Sequence, residues 1–405
     1  MNSTVENTLP ERWEVKSLAD IGSFYRGVSY KKPQLLDGYR EGCITLLRAN
    51  NIQNGLFLEN CQYLPSGFVK NEKLTKKGDV LIAMSSGSKN LVGKNVILPS
   101  LSNYSFGAFC SVFRLDEVEQ SSFVSLYFQS HYYKEIISNL FRGAGINNLR
   151  TSDLEGVYIP IPPLEEQKRI VAKIDALFAK IDKAISLTEE SLKQAKNLLP
   201  RIIDETFDSF DAEKVDLKSV SDSIQYGYTG KTIESGKYYY LRITDIQGGK
   251  VNYQSTPYSD INGIDIEKYI LNKGDILFAR TGATAGKSYL FNDEVEAVFA
   301  SYLIRVVCKQ DIVKPSFVKW FFHSTNYWKQ IFGNIVGAAQ PNFNGKKLGE
   351  LNLKIPSIEQ QELVVGYLEK VSKQTNQTQL KLEGQLAYLK QLKSSILSKA
   401  FKGEL

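Results

Sequence analysis

The sequence predicts an α+β protein built from two similar domains and two long helices. The first observation is an internal repeat, because the segment that begins at Leu47-Arg48 returns at Leu241-Arg242, 194 residues later. The second is that predicted strands and helices follow the same order in both halves. The third is a long heptad-like pattern after a proline segment in each half. A repeat of about half the chain indicates two domains related by a pseudo-twofold axis.

Composition places the chain among folded proteins. Its 405 residues are enough for more than one hydrophobic core, and its 22 Tyr and 21 Phe argue against disorder. A formal net charge of +6 is compatible with a polyanionic partner but does not require one. The four cysteines have no CxxC spacing, which predicts reduced thiols in a cytoplasmic protein. No apolar run approaches the ~20 residues of a membrane span, so no membrane contact is expected.

Each half begins with a segment rich in strand signals. Short apolar runs at 80–83 and 276–279 each follow a Lys-Gly-Asp turn. The elements predicted after these runs are an aromatic helix (123–140 and 317–335), a glycine-rich loop (143–145 and 337–339) and a strand that ends in a proline segment (160–163 and 354–357).

A long helix is predicted after each proline segment. Seam positions recur at alternating spacings of four and three residues over 170–202, and the same spacing, with a polar middle in both halves, returns over 364–396. Pro200 is expected to kink or end the first helix. Two such helices predict an antiparallel coiled coil, about 38 residues and roughly 55 Å long. The alternative is that each helix packs on its own domain.

The chain resembles the specificity subunits of type I restriction–modification systems in three segments. They are Ile-Pro-Pro-Leu-Glu-Glu-Gln-Lys-Arg-Ile-Val at 161–171, its echo Ile-Pro-Ser-Ile-Glu-Gln-Gln at 355–361, and Lys-Gly-Asp-Ile-Leu-Phe-Ala-Arg-Thr-Gly at 273–282. The resemblance covers essentially the whole chain. It implies target recognition domains at 1–160 and 209–354. It also implies spacer helices at 161–208, the family's central conserved region, and at 355–405, its C-terminal conserved region.

The resemblance implies a non-catalytic protein that binds double-stranded DNA and needs no cofactor. In this family each target recognition domain reads one half of a split site, and the helices set the gap between the halves. Two DNA methyltransferase subunits dock on this scaffold, and restriction or translocase subunits are further possible partners. Aromatic residues predicted to help in partner binding, with core packing as the alternative, are Tyr127, Phe128, Trp320 and Phe321.

DNA-contacting residues are expected in loops that mix cations, amides, hydroxyls and glycine. Cations suit phosphates, whereas Arg and Asn can pair with guanine and adenine in the major groove. The candidates in the first half are Tyr25, Arg26, Lys31, Lys32, Asn50, Asn51, Ser85, Ser86, Lys89 and Asn90. The candidates in the second half are Tyr226, Tyr228, Lys231, Thr244, Arg280, Thr281 and Lys287. The loops differ between the halves, which predicts an asymmetric target, whereas the recurring Arg48 and Arg242 are expected to serve the fold.

Two other functions compete with this interpretation. A stand-alone metal-dependent nuclease would use an Asp…Glu-x-Lys pattern, which Asp153, Glu166 and Lys168 superficially match. The second half has Gln360 and Glu362 in place of the last two residues, which weakens the match. The second alternative is a coiled-coil assembly protein, which would show no preference for any DNA sequence.

Overall fold

The computed structural model describes residues 9–53, 55–85, 91–141, 148–263, 266–281, 284–333 and 343–405. The chain divides into two compact units. The first consists of Met1–Thr188 with Gln385–Leu405, and the second of Glu189–Gly384. Each unit contains its own sheets and part of both long helices, because the boundaries after Thr188 and after Gly384 fall inside those helices.

The first unit is built on antiparallel pairs and one parallel pair of strands. Its strands are β1 (Glu14–Ser17), β2 (Gly22–Arg26), β3 (Cys43–Leu47), β4 (Ile52–Gln53), β5 (Gly55–Leu56), β6 (Gln62–Pro65), β7 (Val80–Ala83), β8 (Asn95–Ile97), β9 (Tyr104–Phe106), β10 (Cys110–Leu115) and β11 (Tyr158–Ile161). The main sheet has the order β2-β10-β7-β8, a second sheet has the order β6-β3-β9, and β1 pairs with β11. In the second sheet β3 runs parallel to β9.

The second unit repeats this topology. Its strands are β12 (Lys214–Asp216), β13 (Ser221–Tyr226), β14 (Thr232–Ile233), β15 (Tyr239–Leu241), β16 (Ile246–Gln247), β17 (Lys250–Val251), β18 (Tyr258–Ser259), β19 (Ile276–Ala279), β20 (Ser288–Leu290), β21 (Ala297–Phe299), β22 (Leu303–Cys308) and β23 (Asn352–Lys354). Its sheets have the orders β13-β22-β19-β20, β14-β18-β15-β21, β12-β23 and β16-β17. Strand β14 has no counterpart in the matching sheet of the first unit. Here β15 runs parallel to β21. The α+β fold with an internal repeat is therefore confirmed.

The predicted aromatic helix is two helices in each unit. The helices are α1 (Ser121–Gln129), α2 (His131–Phe141), α3 (Thr151–Glu155), α4 (Leu164–Asp208), α5 (Pro315–Phe321), α6 (Thr325–Gly333), α7 (Gly345–Gly349) and α8 (Ile358–Ala400). The chain breaks between α1 and α2 at Ser130 and between α5 and α6 at Ser324. Each serine hydroxyl accepts a backbone N–H three residues later, which satisfies a donor at the start of the following helix.

The aromatic side chains of these helices belong to the hydrophobic cores. Tyr127, Phe128, Trp320 and Phe321 are all buried. Tyr127 and Phe128 pack in the core of the first unit, and Trp320 and Phe321 in that of the second. Of the two roles considered for these residues, core packing is therefore the one that the structure supports, since a side chain inside its own core cannot reach a partner.

The repeated Lys-Gly-Asp turn places a buried carboxylate beside an arginine in each unit. The glycine of each turn has a positive φ (87° and 96°), which glycine adopts without strain. The carboxylate of Asp79 accepts two hydrogen bonds from the guanidinium of Arg114, at 2.8 and 2.7 Å. In the second unit Arg305 approaches Asp275 at 3.4 Å and donates to two backbone carbonyls as well. The turn motif thus supports the main sheet.

A buried glutamine explains why the proline-to-helix junction recurs. Gln167 donates to the carbonyl of Pro162 at 2.9 Å, and Gln361 donates to that of Pro356 at 2.8 Å. Gln361 also accepts the N–H of Lys314, so it fixes α5 to the start of α8. Each amide holds the strand end to the helix start, where a backbone group would otherwise lose its partner.

The long helices pair in opposite directions within each unit. In the first unit Ile170 and Ile181, near the start of α4, share a core with Ile396 and Leu397, near the end of α8. In the second unit the end of α4 and the start of α8 contribute to one core, and Gln379 donates across the pair to the carbonyl of residue 195. The antiparallel coiled coil is confirmed.

Pro200 does not end its helix, which continues to Asp208. Proline removes one backbone donor, but the neighbouring Ile203 and Phe207 are buried in the core of the second unit. Their packing holds the last turns in place despite the missing hydrogen bond. Among the described residues, none of the helices combines the length and the apolar character needed to cross a bilayer.

Candidate nucleic-acid interface

Three strands of the first unit end beside one turn, which spans residues 107–110 and leads into β10. The first N–H of the turn donates to the carbonyl of Leu47 at the end of β3, at 2.9 Å. The carbonyl of Phe109 accepts the N–H of Met84, which follows β7, at 2.8 Å. The N–H of Gly27, which follows β2, donates to the first residue of β10 at 3.1 Å. We call this surface the first rim.

The second unit has the same arrangement around residues 300–303, before β22. The first N–H of this turn donates to the carbonyl of Leu241 at the end of β15, at 2.9 Å. The carbonyl of Tyr302 accepts the N–H of Arg280, which follows β19, at 3.2 Å. The N–H of Gly227, after β13, donates to the first residue of β22 at 3.2 Å. We call this surface the second rim.

A glycine permits the close approach of backbone segments at each rim. A Cβ added to Gly27 would lie 2.1 Å from the carbonyl oxygen of Gly107. A Cβ added to Gly227 would lie 2.2 Å from the carbonyl oxygen of Ala300. No side chain fits at these distances, so glycine is required where the strand crosses the turn.

The first rim gathers predicted DNA-contacting residues that are far apart in sequence. Arg26 and Asn50 are exposed at the ends of β2 and β3, and Ser85 follows β7 half-buried. Tyr25 is half-buried, with the guanidinium of Arg114 4.7 Å from its ring centre. Exposed in the loop after β2 are Lys31 and Lys32. Three further predicted contacts, Ser86, Lys89 and Asn90, lie outside the described residues.

Asn51 cannot contact DNA, which corrects the prediction for this residue. Its side chain is buried, its oxygen accepts the N–H of Arg48 at 2.8 Å, and its amide donates to the carbonyl of Phe57 at 2.7 Å. At the matching place Asp245 is buried and forms an ion pair with Arg242 at 2.8 Å. Both residues thus hold the turn after the strand. The expectation that Arg48 and Arg242 serve the fold agrees with these contacts.

The second rim gathers a more aromatic set of predicted residues. Tyr226 is exposed at the end of β13, and the guanidinium of Arg280 lies 4.9 Å from its ring centre. Thr244 is exposed after β15, and Thr281 is half-buried. Tyr228 is also half-buried, and its ring packs on two neighbouring tyrosine rings. The arrangement offers a cation, hydroxyls and ring faces on one surface.

Two predicted lysines lie near the second rim and are exposed. Lys231 is exposed, and its backbone N–H donates to Asp260 at 3.0 Å. The carbonyl of Lys287 accepts the N–H of Ala279, the last residue of β19, at 2.8 Å. Its side chain borders a cleft of about 540 Å³ between the β16–β17 hairpin and α5 and α6. Both lysines therefore add exposed positive charge near the second rim.

Sequence reasoning missed one exposed aromatic residue at each rim. Phe109 is 69% exposed and Tyr302 is 63% exposed, and each occupies the third position of its turn. The only sequence signal is a weak similarity, since Gly-Ala-Phe-Cys at 107–110 aligns with Ala-Ser-Tyr-Leu at 300–303 without one identical residue. Such a short match is not distinctive without the turn that places both rings.

The residues of the nuclease-like pattern have structural partners. Asp153 accepts the N–H of Arg150 at 2.9 Å at the start of α3. Arg169 donates twice to Glu166, at 2.8 and 2.7 Å, which lowers the pKa of that carboxyl, and Lys168 pairs with a neighbouring glutamate. Over the described parts of the chain, no cluster of three or more His, Cys, Asp or Glu side chains could hold a metal ion.

Comparisons with known proteins agree over nearly the whole chain. A family model for the type I restriction modification DNA specificity domain matches residues 10–194 and 211–386. The type I restriction enzyme EcoKI specificity subunit of Escherichia coli (strain K12) is 29% identical over 422 residues, which cover 98% of this chain and 90% of that protein.

Two solved structures show the same fold. A chain from a study of complex assembly and conformational transition in a type I R-M system has a TM-score of 0.79 at 19% identity, with 98% of this chain and 99% of that chain covered. The HsdS subunit from Thermoanaerobacter tengcongensis has a TM-score of 0.63 at 19% identity, with 98% of both chains covered.

Proposed function

Because the chain belongs to the type I restriction modification DNA specificity family, we propose that it reads a split, asymmetric site on double-stranded DNA. The first rim contacts one half-site and the second rim contacts the other. The chain itself catalyses no reaction and supplies the sequence preference of a larger restriction–modification complex. The alternatives of a lone nuclease and of a non-specific assembly protein have no support in the family match or in the described residues.

The observation that supports this proposal most strongly is a repeated frame with different side chains. Both rims have a glycine crossing, a four-residue turn and, in the turn after a strand, an arginine whose backbone N–H is accepted by the side chain three residues later. On this frame Asn50 stands against Thr244, and Met84 against Arg280. A common frame presents both surfaces to the same kind of ligand, and different side chains read different base edges. The target is therefore asymmetric.

The predicted side chains divide into two roles. Lys31, Lys32, Lys231 and Lys287 are exposed cations that bind phosphates and set the position of each unit on the duplex. Base recognition falls to the polar groups nearest the turns. These are Tyr25, Arg26, Asn50 and Ser85 on the first rim, and Tyr226, Tyr228, Thr244, Arg280 and Thr281 on the second.

The long helices set the gap between half-sites and bind the partner subunits. The target recognition domains are residues 1–160 and 209–354, and the spacers are residues 161–208 and 355–405. Two DNA methyltransferase subunits are the partners, joined by restriction or translocase subunits in a nuclease complex. Exposed apolar side chains one turn apart on α8, Leu363 and Tyr367, support a docking role for this helix.

A modified-base map of the host genome, made with and without this gene, tests the proposal. Loss of methylation at one split, asymmetric motif is expected, since DNA methyltransferase subunits depend on this chain for their target. Replacing residues 1–160 with the matching domain of a relative should then change one half of that motif and leave the other intact. An unchanged motif after the exchange would contradict the assignment of one domain to one half-site.

Two inexpensive assays address the alternatives. The purified chain with magnesium should leave plasmid DNA uncut, whereas a lone nuclease would cleave it. Selection from randomised duplexes, with the chain in complex with its methyltransferase, should enrich a split motif. An assembly protein without sequence preference would enrich none.

A further inference from the structure

We infer that Phe109 and Tyr302 contact DNA directly, with each aromatic ring packing against the bases of one half-site. This inference rests on the proposed function and adds two residues that sequence reasoning did not identify. It commits to duplex DNA as the ligand, because the rings lie on the surfaces that carry the cations and polar loop residues.

The first argument is that the same exposure occurs twice. A single exposed aromatic side chain is ordinary on a protein surface and needs no explanation. Here the two units place a ring at the third position of equivalent turns, 69% exposed at Phe109 and 63% at Tyr302. Most neighbouring loop positions differ between the units, so the aromatic character is kept where other side chains change. A shared property on an otherwise variable surface indicates a contact common to both half-sites.

The second argument is that the backbone beneath each ring is held in place. The turns close through hydrogen bonds of 2.8 Å between their last N–H and their first carbonyl. The carbonyls of Phe109 and Tyr302 themselves accept N–H groups from the chain after β7 and β19. The following strands, β10 and β22, lie in the middle of the main sheets. A ring on so constrained a turn loses little backbone entropy when it binds.

The third argument is the chemistry around each ring. On the first rim Gly107, two residues before Phe109, lies beside the ring of Tyr30 and the aliphatic stem of Arg48. On the second rim Arg280 directly follows the last residue of β19, and its backbone N–H donates to the carbonyl of Tyr302. Arginine and aromatic rings together favour duplex DNA, since a ring can meet thymine methyl groups in the major groove or wedge between base steps while cations meet phosphates. A purely apolar protein partner would not use these cations.

The test is a double-mutant cycle in which an alanine substitution at one ring is combined with scrambling of one half-site. The full chain is assembled with its methyltransferase, and the split motif of the parent complex is mapped first. Dissociation constants are then measured at one salt concentration for the intact motif and for two duplexes in which one or the other half-site is scrambled. The variants are Phe109→Ala and Tyr302→Ala. The controls are Val118→Ala and Ile312→Ala, which lie beyond the opposite ends of β10 and β22 and are 48% and 40% exposed.

We expect each ring deletion to weaken binding to the intact motif about tenfold or more, which corresponds to about 1.4 kcal/mol. The loss of affinity caused by Phe109→Ala should disappear when the half-site that Phe109 contacts is scrambled. The loss caused by Tyr302→Ala should disappear when the other half-site is scrambled. Phe109→Tyr and Tyr302→Phe should keep most of the affinity, because they keep the ring, and the controls should bind like the parent. Thermal melting of each variant at the parental temperature shows that the fold is intact.

Binding of both alanine variants within about twofold of the parent would overturn the inference, as would equal losses on all three duplexes. Those results leave the proposed function standing, because the parent complex still recognises its split motif. If the parent complex has no split motif, the proposed function fails and the inference falls with it.

Discussion

The buried ion pairs of the two units should differ sharply in what they contribute to stability. Asp79→Asn should destabilise the first unit by about 3–5 kcal/mol, because the Arg114 side chain, only 13% exposed, loses its counter-charge and keeps only the carbonyls of residues 72 and 74 as acceptors. Both oxygens of Asp79 accept hydrogen bonds from Arg114, at 2.8 and 2.7 Å, and one also accepts a backbone N–H at 2.8 Å. An asparagine can reproduce only one of the two acceptors.

The matched change in the second unit, Asp275→Asn, should cost about 1 kcal/mol or less. Arg305 reaches Asp275 only at 3.4 Å and keeps three other acceptors, the side chain of Gln225 and the carbonyls of residues 268 and 270. Burial raises the pKa of Asp275 above its ordinary value, against the lowering effects of a backbone N–H and Arg305. Its charged form is therefore disfavoured in the folded state, and losing that charge offsets part of the lost contact.

Amide hydrogen exchange on the intact protein can measure both units at once. Peptides from β10 report on the first unit and peptides from β22 on the second. Asp79→Asn should reduce the protection of slow β10 amides roughly a thousandfold, since each 1.36 kcal/mol is a factor of ten. Asp275→Asn should reduce β22 protection by less than about tenfold. Equal losses in the two units, or no loss with Asp79→Asn, would refute the reasoning from geometry.

The raised pKa of Asp275 also fixes a sign for the pH dependence. The folded state binds this proton more readily than the unfolded state, so the contribution of Asp275 to the free energy of unfolding is fully present below its unfolded pKa. It is lost as the pH rises through the folded pKa. Asp275→Asn should remove this acid-side gain in β22 protection. A parental profile that falls towards acid by the same amount as the variant profile would contradict the assignment.

Three further changes test other contacts. Gly27→Ala should lower the free energy of unfolding of the first unit by about 1–3 kcal/mol, because the new Cβ would lie 2.1 Å from a backbone carbonyl oxygen. Gly38→Ala is the control, since a Cβ there meets open space, and it should leave the urea midpoint unchanged. Cys308 should resist iodoacetamide at pH 8 until the protein unfolds, because burial raises the pKa of its thiol to about 12. The half-exposed Cys61 should be alkylated sooner, as followed by mass spectrometry, and equal alkylation rates would contradict this. Gln361→Met should lower the free energy of unfolding by about 2–3 kcal/mol, because it leaves a backbone donor and two carbonyls unpaired, and an unchanged urea midpoint would argue against this role.

Some features could be predicted because they are encoded within short segments. The seam over 170–202 comes from helical periodicity, which neighbouring residues impose on each other, and the repeat at 194 residues follows from direct comparison of the halves. The Lys-Gly-Asp turns can be recognised in the sequence because only glycine adopts their positive φ easily. The family followed from the junction at 161–171 and was confirmed over nearly the whole chain.

Errors arose where side-chain hydrogen bonds or core packing decide what a residue does. Ser130 looks compatible with a continuous helix, yet its hydroxyl caps the next one. Pro200 predicts a kink or an end of its helix, yet packing carries α4 past it to Asp208. Asn51 is a plausible base-reading residue by type, but the carbonyl of Phe57 takes its amide. Residue type alone does not show which of these contacts forms.

The amino-acid sequence by itself determined the repeat, the α+β class, the long helices and the family, because repetition, periodicity and turn chemistry act over a few residues. Only the tertiary structure decided which loop residues meet on one surface. Hydrogen bonds between β3, β7 and the turn at 107–110 join segments about sixty and twenty-five residues apart in the chain, and burial removes Asn51 from that surface. The same contacts expose Phe109 and Tyr302, since a turn held from both sides leaves its tip residue to solvent.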